Sequence, residues 1–252
     1  MRARRPAITI QPRQNTRRER QHESVRAEIL VVARRLLNEG GAPLVSLRAI
    51  AREMGLTAPA LYRYYDNRSE LLSALCAQLC AEVAAVTRVA HAGARRRDPG
   101  HALFDAARAM RGWMLEHPTE ALLVFAAPTP AASAAQPPIA LPAASQFRDT
   151  FFELFSDLWR ASRFPVPADA EISPDLARHL RAECGELGRG LPTGLIQAFA
   201  QCWIRLYGVM CMELFGRFPA PSRSCALALF EDTLRDISAT LGVPEAYSPP
   251  AA

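Results

Sequence analysis

The sequence contains no lysine; its 30 Lys and Arg positions are all arginine, the pattern that GC-rich coding produces. It has no uninterrupted apolar run long enough to cross a bilayer, and no signal-peptide-like apolar stretch follows its basic N-terminal segment. A cytoplasmic protein with no membrane partner is therefore expected. The six cysteines, Cys76, Cys80, Cys184, Cys202, Cys211 and Cys225, show no CxxC spacing and sit within apolar helical patterns, as small packed hydrophobes do. Cys76 and Cys80 are four residues apart, but the sequence places no histidine or acid beside them, so no metal is assigned. There is no phosphate-cradling glycine loop, no GxSxG elbow, no HExxH and no composed pair of acids. His117 beside Glu116 is explained by a helix end, and His91, His101 and His179 lie among polar residues. No catalytic residue or cofactor is assigned, and the chain is not read as an enzyme. Nothing alternates with a period of two, which excludes strands and leaves an all-α chain.

What is present is 252 residues, half of them hydrophobic, enough for one small domain and one larger one. The formal charge of +5 is unevenly spread: Arg2, Arg4, Arg5, Arg13, Arg17, Arg18 and Arg20 crowd the first segment, opposed only by Glu19. Four parts are expected: a disordered Arg-rich arm over 1–22, a small helical domain over 23–70, a larger one over 71–242 and a disordered tail over 243–252.

The stretch Ser46 to Tyr65, SLRAIAREMGLTAPALYRYY, reads as a helix-turn-helix. Ser46 is a good N-cap, and Leu47, Ile50, Ala51 and Met54 fall on one helical face. Gly55 stops that helix where a left-handed residue is wanted, and Thr57 caps the next, with Pro59 in its first turn. Leu61 and Tyr65 then point inward, leaving Thr57, Ala58, Ala60, Tyr62 and Tyr64 outward with Arg48, Arg63 and Arg68 nearby. Small side chains allow close approach to base edges, while tyrosines and arginines bond phosphate or guanine. Ser46, Arg48, Thr57, Ala58, Pro59, Ala60, Tyr62, Tyr64 and Arg68 are thus the candidate DNA contacts. Two helices joined at a glycine also occur in domains that never meet DNA.

From Val25 to Leu79 the chain resembles the DNA-binding domain of the TetR family of bacterial transcriptional regulators. The resemblance rests on an amphipathic helix ending in Gly40-Gly41 and on SLRAIAREMGLTAPALYRYYDNRSELL, above all the LYRYY block followed by Asn67, Arg68 and Leu71. The chain departs from the usual pattern at Tyr64, Tyr65 and Arg68, where the family commonly has histidine, phenylalanine and lysine. A weaker similarity to a subfamily with a tryptophan-histidine-glycine signature covers RAMRGWMLEHP, ALLVFAAPTP and AQCWIRLYGVMCMELFG; Trp203 and Gly208 match it and Tyr207 replaces the histidine.

Helical patterns account for the remainder. A first helix is expected from about Glu23 to Asn38, with Val25, Ile29, Val32 and Leu36 inward. A long one opens at Asn67 and runs to about Val89 along Leu72, Leu75, Leu79, Val83 and Val86, a natural mechanical link between the domains. Loops are expected from His91 to Gly100 and from Ala127 to Pro138. Between and after them lie helices stopped near Pro118, over Glu120 to Ala126, around Phe147 to Trp159, over Ser173 to Cys184, over Thr193 to Phe215 and over Arg223 to Leu241. The helix Thr193 to Phe215 is apolar nearly all round, and the last helix alone cannot cover Trp203, Leu206, Met210 and Leu214 as well as the opposite face. The resemblance implies a homodimer through these last two helices.

The expected function is a repressor that reads a palindromic operator as a dimer, its heads spaced by about 34 Å, and that a small apolar or aromatic ligand releases. Candidate pocket walls are Trp113, Phe125, Phe151, Phe155, Trp159, Phe199 and Trp203. An all-α enzyme built from dispersed residues and a dimeric adaptor that binds no ligand are the alternatives.

Overall fold

The computed structural model of the chain describes residues 17–94, 99–125, 144–218 and 222–249. Among these residues all regular structure is helical: α1 (Arg17–Gly40), α2 (Leu47–Glu53), α3 (Ala58–Leu61), α4 (Arg68–Ala94), α5 (Pro99–Glu116), α6 (Pro118–Phe125), α7 (Ala144–Ser162), α8 (Pro174–Cys184), α9 (Thr193–Leu214) and α10 (Arg223–Thr240). Short 3-10 turns lie at Ala42–Leu44, Asp169–Glu171, Gly185–Gly188 and Pro244–Ala246. The chain divides into two units, Met1–Arg68 and Ser69–Ala252, two residues before the expected boundary.

In the first unit, local chemistry sets the element ends. Ser46 Oγ accepts the Ala49 N–H at 3.1 Å and starts α2. Gly55, at φ +64°, ends it: the Leu56 N–H reaches back to Ala51 O at 2.8 Å and the Gly55 N–H to Arg52 O at 3.4 Å, a Schellman closure that satisfies the last carbonyls. The core is Ile29, Ala33 and Leu37 from α1, Leu47 and Ile50 from α2, and Leu61 with Tyr65, all buried.

In the second unit, α5 packs against α6, α7 and α9. Leu103, Ala107, Met110 and Met114 are buried along its inner face, as their spacing predicts. Two of its arginines, one turn apart, fasten it to the last helices. Arg111 grips Glu213 of α9 through two bonds of 2.8 and 2.7 Å, and Arg108 grips Glu231 of α10 through bonds of 2.9 and 2.8 Å. Where α9 begins, the loop before α8 passes so close that a Cβ at Gly194 would lie 1.9 Å from Pro167 O.

Several expectations are corrected. Helix α1 starts at Arg17, so residues 17–22 belong to a helix and not to a disordered arm; residues 1–16 lie outside the described residues. Its buried stripe is Ile29, Ala33, Leu36 and Leu37, with Val25 and Val32 only half-buried. Helix α4 continues to Ala94, into the expected loop, and Val86 is exposed on it. The expected loop Ala127 to Pro138 lies outside the described residues. The tail is ordered as far as it is described: Ala246 is buried, the Tyr247 hydroxyl donates to Glu231 at 3.1 Å, and Arg108 donates to Ser248 O at 2.7 Å. Leu206 and Met210 are buried within the chain's own second unit; what α9 leaves uncovered is Ile204, Met212 and Phe215. Helices α4 and α9 are long and apolar enough to cross a bilayer by length and composition alone, yet each buries one face among the other helices, as core helices do.

Candidate functional site

The outer face of the first unit is built from inside out. Leu61 and Tyr65 anchor α3 and the turn after it to α1 and α2, and this turns Tyr62 outward, 49% exposed. The backbone from Ala58 to Tyr65 stays helical in direction through bonds from the Tyr62 N–H to Ala58 O and the Tyr65 N–H to Leu61 O, of 3.4 and 3.2 Å, although the regular helix is only four residues long. Arg48, Thr57, Pro59 and Arg63 are exposed beside it, with Ser46, Ala58, Ala60 and Tyr64 half-buried. Thr57 holds the N-cap position, but its side chain makes no capping bond, contrary to the sequence expectation. Tyr64 is less outward than expected, since its ring stacks on His22 with centroids 4.7 Å apart. Arg68 is exposed, but it also braces the turn before α2: its Nε donates to Val45 O at 2.7 Å and a terminal nitrogen to Ala42 O at 2.5 Å. Sequence reasoning missed Arg26, which donates to Tyr64 O at 3.0 Å and lies 4.4 Å over the Tyr65 ring. It is 38 residues away from Tyr64 in sequence, and no local pattern marks it as a partner.

The second unit holds a cavity of about 30 Å³ between α5, α7, α9 and α10. Of the seven expected pocket residues, Phe151, Phe155, Phe199 and Trp203 line it. Trp113 instead stacks on His117 at 5.0 Å, and Phe125 packs between Phe147 and Tyr207, each 5.6 Å away. Trp159 lies beneath the Arg163 guanidinium at 4.6 Å, on a half-exposed face. Residues the sequence did not nominate complete the walls, among them Phe104, Leu206, Leu234 and Ile237. Cys202 also faces the cavity, and burial pushes its thiol up to about 11, so it is neutral at physiological pH.

Residues 29–75 match the description "Bacterial regulatory proteins, tetR family", and residues 103–237 match "Tetracyclin repressor-like, C-terminal domain". The chain belongs to the TetR family. The HTH-type transcriptional regulator Rv1816 of Mycobacterium tuberculosis is 27% identical over 225 residues, 87% of this chain and 93% of that protein. The solved structure of the protein SCO4313 is 30% identical, covers 88% of this chain and 98% of its own, and superposes with a TM-score of 0.63. A TetR/AcrR-family regulator from Thermobifida fusca, 20% identical over 85% of this chain and 96% of its own, shares the fold at a TM-score of 0.52.

This TetR-family chain is an all-α transcriptional regulator with an N-terminal helix-turn-helix and a C-terminal helical domain. Its Tyr207, at the departure from the tryptophan-histidine-glycine signature, donates to Phe125 O at 2.8 Å and does not line the cavity. Burial pushes the phenol up, so it stays protonated and keeps that bond. The Cys76 and Cys80 sulfurs are 4.0 Å apart and buried, and Cys76 faces Leu123 O at 3.9 Å. Among the described residues no group of three or more His, Cys, Asp or Glu is arranged to hold a metal ion.

Proposed function

We propose that this regulator is a cytoplasmic repressor that binds a twofold-symmetric operator as a homodimer through α3 and lets go when a small apolar molecule occupies the second unit. The observation that carries the reading of DNA is Tyr62: a tyrosine 49% exposed, at a position that the burial of Leu61 and Tyr65 fixes, with Arg48 and Arg63 also exposed. A side chain so placed can reach base edges in a major groove, while arginines on either side hold the phosphates.

Pairing of two copies is supported by the outer face of α9. Ile204 is 69% exposed, Met212 and Phe215 extend the same stripe, and Leu229 of α10 is exposed as well. In its middle is Gly208, where an added Cβ would meet nothing within 4 Å. A mid-helix glycine costs about 0.5–1 kcal/mol relative to alanine, and close approach of a second helix is the use that offsets it. Helix α4, continuous from Arg68 to Ala94, is the proposed lever between an occupied cavity and the spacing of the heads. It acts only as far as a ligand prefers one arrangement to the other.

The test is operator protection by the pure protein, followed by titration of Tyr62→Ala on operator and on scrambled duplex. A loss of about 1–3 kcal/mol, roughly 5- to 150-fold, is expected on the operator alone. Equal loss on both duplexes rejects base reading by Tyr62.

A further inference from the structure

A 30 Å³ cavity holds about two water molecules, so the cavity alone is too small for an effector. Its walls carry no charged group, hydroxyl or amide; apart from the Cys202 thiol and the Trp203 indole they are wholly apolar. Two of those walls, Phe199 and Trp203, have a second side. Behind them lies a groove of about 190 Å³ at the surface, floored by Leu180, Ile196 and Ala200, with Arg148 and Glu183 at its rim. The Phe199 and Trp203 rings stack with centroids 6.0 Å apart and are thus a partition between two apolar spaces.

We infer that cavity and groove are two halves of one site, that the Trp203 indole is the gate between them, and that its occupant is an uncharged, flat apolar molecule with at most one polar end. This rests on the reading of the second unit as effector-binding. The apolar inner half rejects a charge, because a buried ion without a partner is expensive. The rim is already neutralised: Arg148 donates to Glu183 at 3.2 Å and to Asp149 at 3.0 Å, so it suits a hydroxyl or amide and not a free anion.

The opposite wall decides the direction of entrance. There the seam of α5 and α10 is strapped by the C-terminal segment: Tyr247 meets Phe104, a cavity wall, edge-on at 6.1 Å, and bonds Glu231, which Arg108 grips through two nitrogens. Arg108 also holds Ser248 O, and His101 bonds the Ser248 hydroxyl at 2.8 Å. Opening that side breaks a largely buried ion pair. Among the described residues the Trp203 indole meets the rings of Phe147, Phe151, Phe199 and Tyr207 and makes no hydrogen bond, so turning it breaks none. Ile204, at the mouth of the groove, belongs also to the exposed stripe of α9, so a displaced indole acts beside the proposed dimer face.

Stopped-flow fluorescence of N-phenyl-1-naphthylamine, an uncharged probe that brightens in apolar surroundings, tests the inference on the full chain. The wild type is expected to bind saturably. Ala200→Trp, which fills the groove floor, should slow association tenfold or more, Trp203→Ala should speed it tenfold or more, and deletion of Pro244–Ala252 should change it less than twofold. The sulfonated analogue 1-anilinonaphthalene-8-sulfonate should bind at least tenfold more weakly. No saturable binding, an unchanged rate in Trp203→Ala, a faster rate in the deletion with none lost in Ala200→Trp, or equal affinity for the two probes overturns it. Circular dichroism of each variant identifies misfolding, and Trp203→Ala, which only removes bulk, decides if Ala200→Trp does not fold. Operator binding by the same wild-type sample, without probe, tests the regulator reading separately.

Discussion

Gly194 and Asp169 show how single residues hold α9 in place. An alanine at 194 would put its Cβ 1.9 Å from Pro167 O, a backbone atom that cannot swing aside. Gly194→Ala is expected to destabilise the second unit by about 1–3 kcal/mol, the usual cost of forcing a methyl into filled space. Urea melts followed by tryptophan fluorescence check this, because Trp113, Trp159 and Trp203 all belong to that unit. Asp169 accepts the Thr193 hydroxyl and N–H, both at 3.0 Å, with Arg181 at 3.3 Å. The Thr193 hydroxyl, the largest influence, outweighs the desolvation that follows it, and the N–H groups of Thr193 and Gly194 and the Arg181 charge add smaller pulls in the same direction, so the carboxyl is held below its ordinary range. A lowered folded pKa contributes stability above the unfolded value, about 3.9, and that contribution is lost as pH falls through the folded one. Asp169→Asn should therefore melt below wild type at pH 6, with the gap closing below about pH 4; a gap constant from pH 3 to 7 would contradict the linkage. In the sequence, Thr193-Gly194 read only as the start of an apolar helix.

At the scale of elements, the helix-turn-helix was legible and the fastening of the second unit was not. Ser46, Gly55, Leu61 and Tyr65 act over three to five residues, through a cap, a left-handed turn and a buried face, and each did what its spacing predicted. Arg108 and Glu231 are 123 residues apart, and nothing local marks them as partners. The same holds for the tail, rich in proline and alanine in sequence, which Tyr247 and Ser248 fix to α5 and α10. Glu231→Ala should leave Arg108 without its main partner and remove the Tyr247 bond of the strap. The expected loss is about 2–4 kcal/mol, toward the lower side for a broken buried pair, because the Arg108 side chain is 21% exposed. The urea midpoint of the variant measures it; a loss below about 0.5 kcal/mol would class the contact with surface pairs.

For the molecule as a whole, the proposed pairing of two copies depends on which face of α9 is left uncovered. A stripe count on so apolar a helix cannot say, because nearly every residue qualifies for burial. The fold assigns Leu206 and Met210 to the interior and leaves Ile204, Gly208 and Met212 outside. Gly208→Trp makes the separation testable: nothing lies within 4 Å of the added Cβ, so the chain should keep its fold, while two α9 helices could no longer approach. Sedimentation of the variant as a monomer at micromolar concentration, with operator affinity reduced at least tenfold, is the expected outcome, and an unchanged dimer would move the interface elsewhere.

The helical class, the helix-turn-helix with its caps and inward pairs, the family resemblance and most helix boundaries were readable from residue order alone, because those depend on interactions among residues close along the chain. Three-dimensional packing alone settled which aromatics surround the cavity, that Trp159 is turned away from it, that Arg68 braces the turn before α2 and Arg26 the turn after α3, and that the tail is strapped down. Those outcomes depend on the rotation of each helix about its own axis and on partners dozens of residues away, and the period of a hydrophobic pattern fixes neither.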